Sequence, residues 1–184
     1  MPVRRIVTGL NDQGRARAVI DAPSPHVTES PAGEITEIWS SAESPASYDF
    51  EGDRAIFPMK HDPLPNGTIC RVLEMKPGIE IPVDTPSEVI LQFAKGAFQN
   101  MQSDFEPTLE SVQRHPTFHK TDSLDYLVVL SGRLTMLMDD DAEVTLEPGN
   151  VVVQQGVMHG WRVEGDEPVR VFAVLVSGAT ATLP

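Results

Sequence analysis

His119-Lys120-Thr121-Asp122-Ser123-Leu124-Asp125-Tyr126-Leu127-Val128-Val129-Leu130 runs on to Gly132, and is followed by Pro148-Gly149-Asn150-Val151-Val152-Val153-Gln154-Gln155-Gly156-Val157-Met158-His159. Both stretches read as β-structure. Alternate side chains of a strand share a face, so Asp125, Leu127 and Val129 point one way while Leu124, Tyr126, Val128 and Leu130 point the other. Asp125 therefore sits on a mostly apolar face. A carboxylate there needs a partner, because an unpaired charge in a low-dielectric interior is costly or is forced to take a proton. A cation held by Asp125, His119 and His159 would supply that partner; the alternative is that Asp125 hydrogen-bonds Thr121 or His119, with His159 ending a strand.

Outward from these stretches, everything beyond Pro116 follows the same pattern. Strands are expected at Leu124–Leu130, Arg133–Met138, Glu143–Leu146, Val151–Gln154, Gly160–Val163 and Val169–Val176, with Asp139-Asp140-Asp141 as a hairpin turn. Their connections are short and carry Gly, Pro or Asp. Many short strands with close turn signals indicate an all-β sandwich or small barrel rather than a parallel sheet. The three aspartates lack the glycine and downstream glutamate of a calcium loop and read as a solvated hairpin tip.

Upstream, Arg4–Thr8, Ala16–Asp21 and Glu34–Ser40 alternate partially between Gly and Pro clusters and read as short strands. From Ser41 to Gly67 the chain is rich in Ser, Pro, Asp and Gly, with Phe50, Ile56 and Phe57 as anchors of an ordered loop. Thr68–Met75 is a strand that buries Ile69, Val72 or Leu73, and Met75. Between Pro86 and Phe105 the apolar residues Val89, Ile90, Phe93, Ala97, Phe98 and Met101 recur nearer to 3.6 than to 2, which predicts a short helical insertion. It serves as a cap or a dimer surface.

Composition narrows the functional classes. A chain of 184 residues buries a sizeable core as one domain, read as an N-terminal extension over 1–67 and a barrel over 68–178. A formal charge of −13, with Arg4-Arg5 as the only basic pair, argues against nucleic acid and against anionic membrane surfaces as partners. The single cysteine, Cys70, excludes an internal disulfide and a thiolate-rich zinc site. No segment has the apolar length of a membrane span, and the N-terminus lacks the apolar run of a secretory signal, so a cytoplasmic protein is expected.

The two quoted stretches resemble the paired motifs of the cupin superfamily, in particular its small single-domain members with one conserved barrel. The family pattern G-x5-H-x-H-x(3,4)-E-x6-G is met by His119-Lys120-Thr121, three residues, Asp125, six residues and Gly132. The second, G-x5-P-x-G-x2-H-x3-N, is met by Gly149, four residues, Gln154-Gln155-Gly156, two residues and His159. The resemblance implies a double-stranded β-helix, the jelly-roll barrel, and a homodimer in which an N-terminal strand adds to the partner's sheet. It also implies a divalent metal ion such as Fe, Mn, Zn or Ni.

The chain departs from the pattern at four places: Thr121 stands for the second histidine, Asp125 for the glutamate, Gln154 for the proline and Val163 for the asparagine. Three strong ligands remain, His119, Asp125 and His159, a set similar to the two-histidine, one-carboxylate triad of non-haem iron proteins. Thr121 would then hydrogen-bond a metal-bound water. Gln154 and Trp161 are candidates for the substrate pocket, the first through its amide and the second by stacking, although Trp161 also suits core packing.

Other polar residues carry less. His115 is expected to stay extended on the surface, His26 and His61 to be exposed in Pro-containing loops, and Arg133 and Arg170 to be solvated unless they hold a substrate carboxylate. Two functions are expected from the whole. The first is a metal-dependent enzyme for a small organic acid, sugar derivative or aromatic metabolite, with isomerase, lyase, decarboxylase and dioxygenase chemistry open. The second is a metal-free small-molecule binding or sensor module.

Overall fold

The computed structural model describes residues 2–30, 32–48, 52–78, 81–82 and 84–179; Phe50, one of the expected loop anchors, lies outside the described residues. Eleven strands and two helices follow in order: β1 Arg4–Leu10, β2 Ala16–Pro23, β3 Val27–Ser30, β4 Gly33–Ser41, β5 Thr68–Met75, α1 Ser87–Asn100, α2 Leu109–Arg114, β6 Ser123–Ser131, β7 Arg133–Leu137, β8 Glu143–Leu146, β9 Val151–Gln155, β10 Gly160–Glu164 and β11 Val169–Ser177. The expected strands stand within about two residues of their read boundaries. β3 and α2, of 4 and 6 residues, had no expectation. Both are too short to show a period.

A six-stranded sheet in the order β3-β4-β5-β11-β6-β9 faces a three-stranded sheet, β10-β7-β8, and β1-β2 form a separate hairpin. Every pairing is antiparallel. The two facing sheets are the walls of a jelly-roll barrel. β4 pairs with β5 along Gly33 to Ser41, so the segment before residue 68 supplies part of the barrel wall.

Register sorts the barrel interior into two ends. One inner row across the large sheet is Ile35, Leu73, Val171 and Val129. It merges with Leu134, Met136 and Leu146 of the small sheet into the apolar core, against which Leu127, Val152, Trp161 and Val163 also pack. The next inner row is Glu37, Arg71, Ala173, Leu127 and Val152, and the one beyond it is Ser40, Ile69, Leu175, Asp125 and Gln154. Thus the interior turns from hydrocarbon to polar along the barrel axis, which is where a small-molecule site is positioned in such a fold.

Local chemistry explains the connections. The β7–β8 turn places Asp140 and Asp141 at φ 53° and 57°, a left-handed conformation that aspartate tolerates better than most residues. Gly132, between β6 and β7, has φ +79°, and a Cβ there would stand 2.8 Å from Val169 Cγ2. Only glycine fits that turn without strain.

The helical insertion lies over the polar end. α1 buries only Ala94 and Phe98, leaving Val89 and Phe93 exposed. α2 opens with a reciprocal capping box in which Thr108 and Ser111 each satisfy the other's backbone N–H. The helices are held to the preceding loop at His61-Asp62: His61 N donates to Met101 O at 2.9 Å, and Asp62 Oδ2 accepts from Ser103 Oγ and Asp104 N.

Candidate functional site

His119 and His159 are brought together by the backbone itself. They form an isolated antiparallel bridge, each N–H donating to the other's carbonyl at 2.8 Å, and their rings lie 4.3 Å apart between centroids. Each imidazole is oriented by its own chain two residues upstream, His119 Nδ1 on Thr117 O at 2.7 Å and His159 Nδ1 on Val157 O at 3.0 Å. A carbonyl only accepts, so Nδ1 carries the proton on both rings and Nε2 is left with its lone pair. Neither Nε2 has a hydrogen-bond partner among the described residues.

Burial keeps both rings neutral. It pulls His159 down to about 4, a fall opposed by the Val157 carbonyl and aided by His61. It pushes His119 well below the ordinary histidine value, with His159 and His61 adding to the effect and the Thr117 carbonyl opposing it. At neutral pH the pair therefore offers two hydrogen-bond acceptors, the Nε2 atoms, on rings fixed by backbone carbonyls that accept from Nδ1–H.

Asp125 occupies the inner wall of β6, 4% exposed. Its Oδ2 accepts from Gln154 Nε2 at 2.8 Å across the β6–β9 pair, a partner the sequence did not suggest, while the Thr121 side chain also acts on the carboxyl. Burial raises the Asp125 pKa, against the pull of Ser123, His61, Thr121 and Arg71. Asp125 Oδ1 and Gln154 Oε1 are buried without a hydrogen-bond partner. The Thr121 hydroxyl accepts from Ser123 Oγ at 2.7 Å and is itself buried. Trp161 lies edge-on to His159 at 5.5 Å while packing on the apolar core, so core packing and a place at the site are one position.

Sequence reasoning missed three residues. His61, expected in an exposed loop, is largely buried, with its ring 4.9 Å from that of His119 and its Nδ1 3.2 Å from Ser103 Oγ. The Pro-rich loop around it has no period from which an inward side chain could be read. Arg71 donates to the carbonyls of Lys60 and His61, and so ties that loop to the inner wall. Glu37 faces Arg71 at 3.0 Å, fully buried, and desolvation lifts its pKa to about 7 even though Arg71 pulls it down. The one available signal was Arg71 itself, a charge sharing a strand face with Ile69 and Leu73.

Two other histidine expectations are corrected. His115 is extended, as its following proline demands, yet it is half-buried rather than on the surface: it packs close to Gly160, and burial pulls its pKa to about 4. His26 is half-buried, its Nε2 3.1 Å from Asp53. Neither reaches the His119–His159 pair.

Phe98 of α1 and Phe105 beyond it lie beside the pair, with ring centroids 5.2 and 6.2 Å from that of His119. The result is a cluster of hydrogen-bond acceptors flanked by aromatic rings at the polar end of the barrel. Its donor chemistry suits a divalent ion: fixed imidazoles with free Nε2 atoms and an unpartnered carboxylate oxygen are what such an ion selects. Its spacing does not. Among the described residues no three His, Cys, Asp or Glu side chains are grouped so as to hold one metal ion.

Residues 104–175 match the Cupin_2 family, described as a cupin domain, and this span contains His119, Asp125, Gln154 and His159. These residues form a cupin domain. Among characterised proteins, the chain is 30% identical over 95 residues to phomopsin biosynthesis cluster protein C' of Diaporthe leptostromiformis, a match covering 52% of this chain and 41% of the relative. It is 25% identical over 183 residues to the cupin-domain-containing oxidoreductase fogC of Aspergillus ruber, covering 95% and 72%. The cupin domain of Schizosaccharomyces pombe Cnp3 is similar at 12% identity and a TM-score of 0.44, covering 95% of this chain and 87% of that one. The chain thus spans less than half of the first relative and most of the second. Among the described residues no helix is long and apolar enough to cross a membrane.

Proposed function

We propose that this chain is a cupin-type enzyme of small-molecule metabolism that works at the polar end of its barrel without a resident metal. The observation that carries the reading is the pair of buried, neutral imidazoles whose Nε2 lone pairs have no partner among the described residues. Such acceptors bind a group that donates, a hydroxyl or an amine of the substrate. Asp125, oriented by Gln154 and with its pKa raised by burial, is the group that gives or takes a proton there. Phe98, Phe105 and Trp161 exclude water and offer flat surfaces to an apolar substrate body. That a relative across most of the chain is named an oxidoreductase supports an enzyme over a passive binder.

A second reading, a divalent ion held by His119, Asp125 and His159, is favoured by the anchored Nδ1 atoms and the unpartnered Asp125 Oδ1. A bound ion would polarise a substrate oxygen. Elemental analysis of the purified chain, before and after incubation with Fe(II), Mn(II), Zn(II) and Ni(II), separates the two. The first reading expects no stoichiometric metal and substrate binding that survives a chelator; near-stoichiometric metal that disappears in His159→Ala, with the fold intact, overturns it in favour of the second. A ligand bound tightly but never converted leaves the binding or sensor module.

A further inference from the structure

His119 is 8% exposed and His159 3%, and Asp125 and Gln154 are buried as deeply. A molecule that donates to the two Nε2 atoms reaches them only after something moves. Two of the rings beside His119, Phe98 and Phe105, are carried by one stretch of chain, α1 and the connection that follows it, and pack on each other edge to face at 5.4 Å. That stretch is lightly held. Of its 14 residues α1 buries only Ala94 and Phe98, no side chain caps its N-terminus, and Val89 and Phe93 are exposed. Segments with few buried apolar contacts open at the lowest local cost.

We propose that α1 and the chain through Phe105 form a lid over the His119–His159 pair, latched by Asp62, which swings out to admit the substrate. Among the described residues, the hydrogen bonds that fasten this stretch to the rest of the molecule gather at its C-terminal end. His61 N–H donates to Met101 O at 2.9 Å, and Asp62 Oδ2 accepts from Ser103 Oγ at 3.0 Å and from Asp104 N–H at 2.9 Å. Asp62 is the fixed side of the latch: Arg71 of β5, paired with Glu37 inside the barrel, donates to the carbonyls of Lys60 and His61 just before it. α2 also stays with the barrel, since it buries Ser111 and Val112 and its Arg114 donates to Met138 O at 3.0 Å. Movement is thereby confined to the chain ahead of the α2 cap. Release breaks polar contacts that water replaces. An apolar substrate body buries the two phenyl rings again, so a bound ligand favours the closed state. The inference rests on the reading that a small molecule meets the Nε2 atoms, but opening is measured without one.

Diethyl pyrocarbonate, which acylates unprotonated imidazole nitrogens, tests it on the full chain at pH 7 with a chelator present, each histidine being followed by peptide mass spectrometry. In the wild type His119 and His159 are expected to react several-fold more slowly than the half-buried His26, which lies outside the lid. Asp62→Ala removes the acceptor shared by Ser103 and Asp104; it should speed both rings several-fold and leave His26 as it was. Wild-type rings that react as fast as His26, a folded Asp62→Ala that leaves their rates unchanged, or one that speeds all three histidines alike overturns the proposal. Hydrogen exchange of the wild type needs no variant. The His61 and Asp104 amides, whose bonds cross from lid to loop, should exchange roughly a hundred-fold faster than the β11 amides of Val171 and Ala173, and equal protection contradicts the lid. A lid that opens in a chain for which no ligand is found leaves this inference standing and the substrate reading fallen.

Discussion

Gln154 donates its amide N–H to Asp125 across the β6–β9 pair at 2.8 Å, and with that single bond it links the two motif-bearing strands at the inner wall. A glutamine stands there where related sequences are expected to carry proline. Proline has no side-chain donor, so the substitution and the buried aspartate belong together.

Replacing Gln154 by alanine removes the β9 amide donor from buried Asp125, whose Oδ1 is already without a partner among the described residues. The expected loss is about 1–3 kcal/mol of unfolding free energy in urea titrations. The loss should be greater at pH 8 than at pH 5, because an unpartnered carboxyl is tolerated better with its proton on. Equal losses at both pH values would separate the bond from the charge.

Glu37 sets a pH dependence of opposite hand to that of an ordinary surface carboxylate. Its folded pKa of about 7 lies above the reference 4.5, so the folded state holds more protons between those values. The stability it contributes is complete below about 4.5 and is lost as pH rises through about 7. Glu37→Gln fixes the uncharged form. Its unfolding free energy should match the wild type at low pH and exceed it at pH 8, read from denaturation curves across that window; a wild type that gains stability over the same window would contradict this.

Gly132→Ala should cost about 1–3 kcal/mol and leave the apolar core otherwise intact. The cause is dual: a left-handed φ of +79° and a Cβ that meets Val169 and the Pro168 carbonyl. Thermal unfolding of the variant provides the number. An unchanged midpoint would mean that the β6–β7 turn relaxes freely.

The strands from β5 onward were legible because apolar and polar residues alternate between Gly, Pro and Asp turns, and Thr68–Met75 and Glu143–Leu146 stand where they were read. The inward direction of Asp125 followed from strand parity alone. Its partner did not, since cross-strand register depends on turns whose geometry a sequence does not state. His61 was hidden for a different reason. It lies in an irregular loop, and its place beside His119 is fixed by backbone bonds to Arg71 and Met101, contacts distant in sequence.

The account depends most on the state of His119 and His159. Nitrogen-15 spectra of the imidazoles in the full chain between pH 5 and 8 report protonation and tautomer directly. Both rings are expected to remain neutral throughout, with the proton on Nδ1 and an unprotonated Nε2, as their carbonyl partners and a His159 pKa of about 4 require. Titration of either ring near pH 6.5, or a proton found on Nε2, would contradict the pair of acceptors and with it the site built around it.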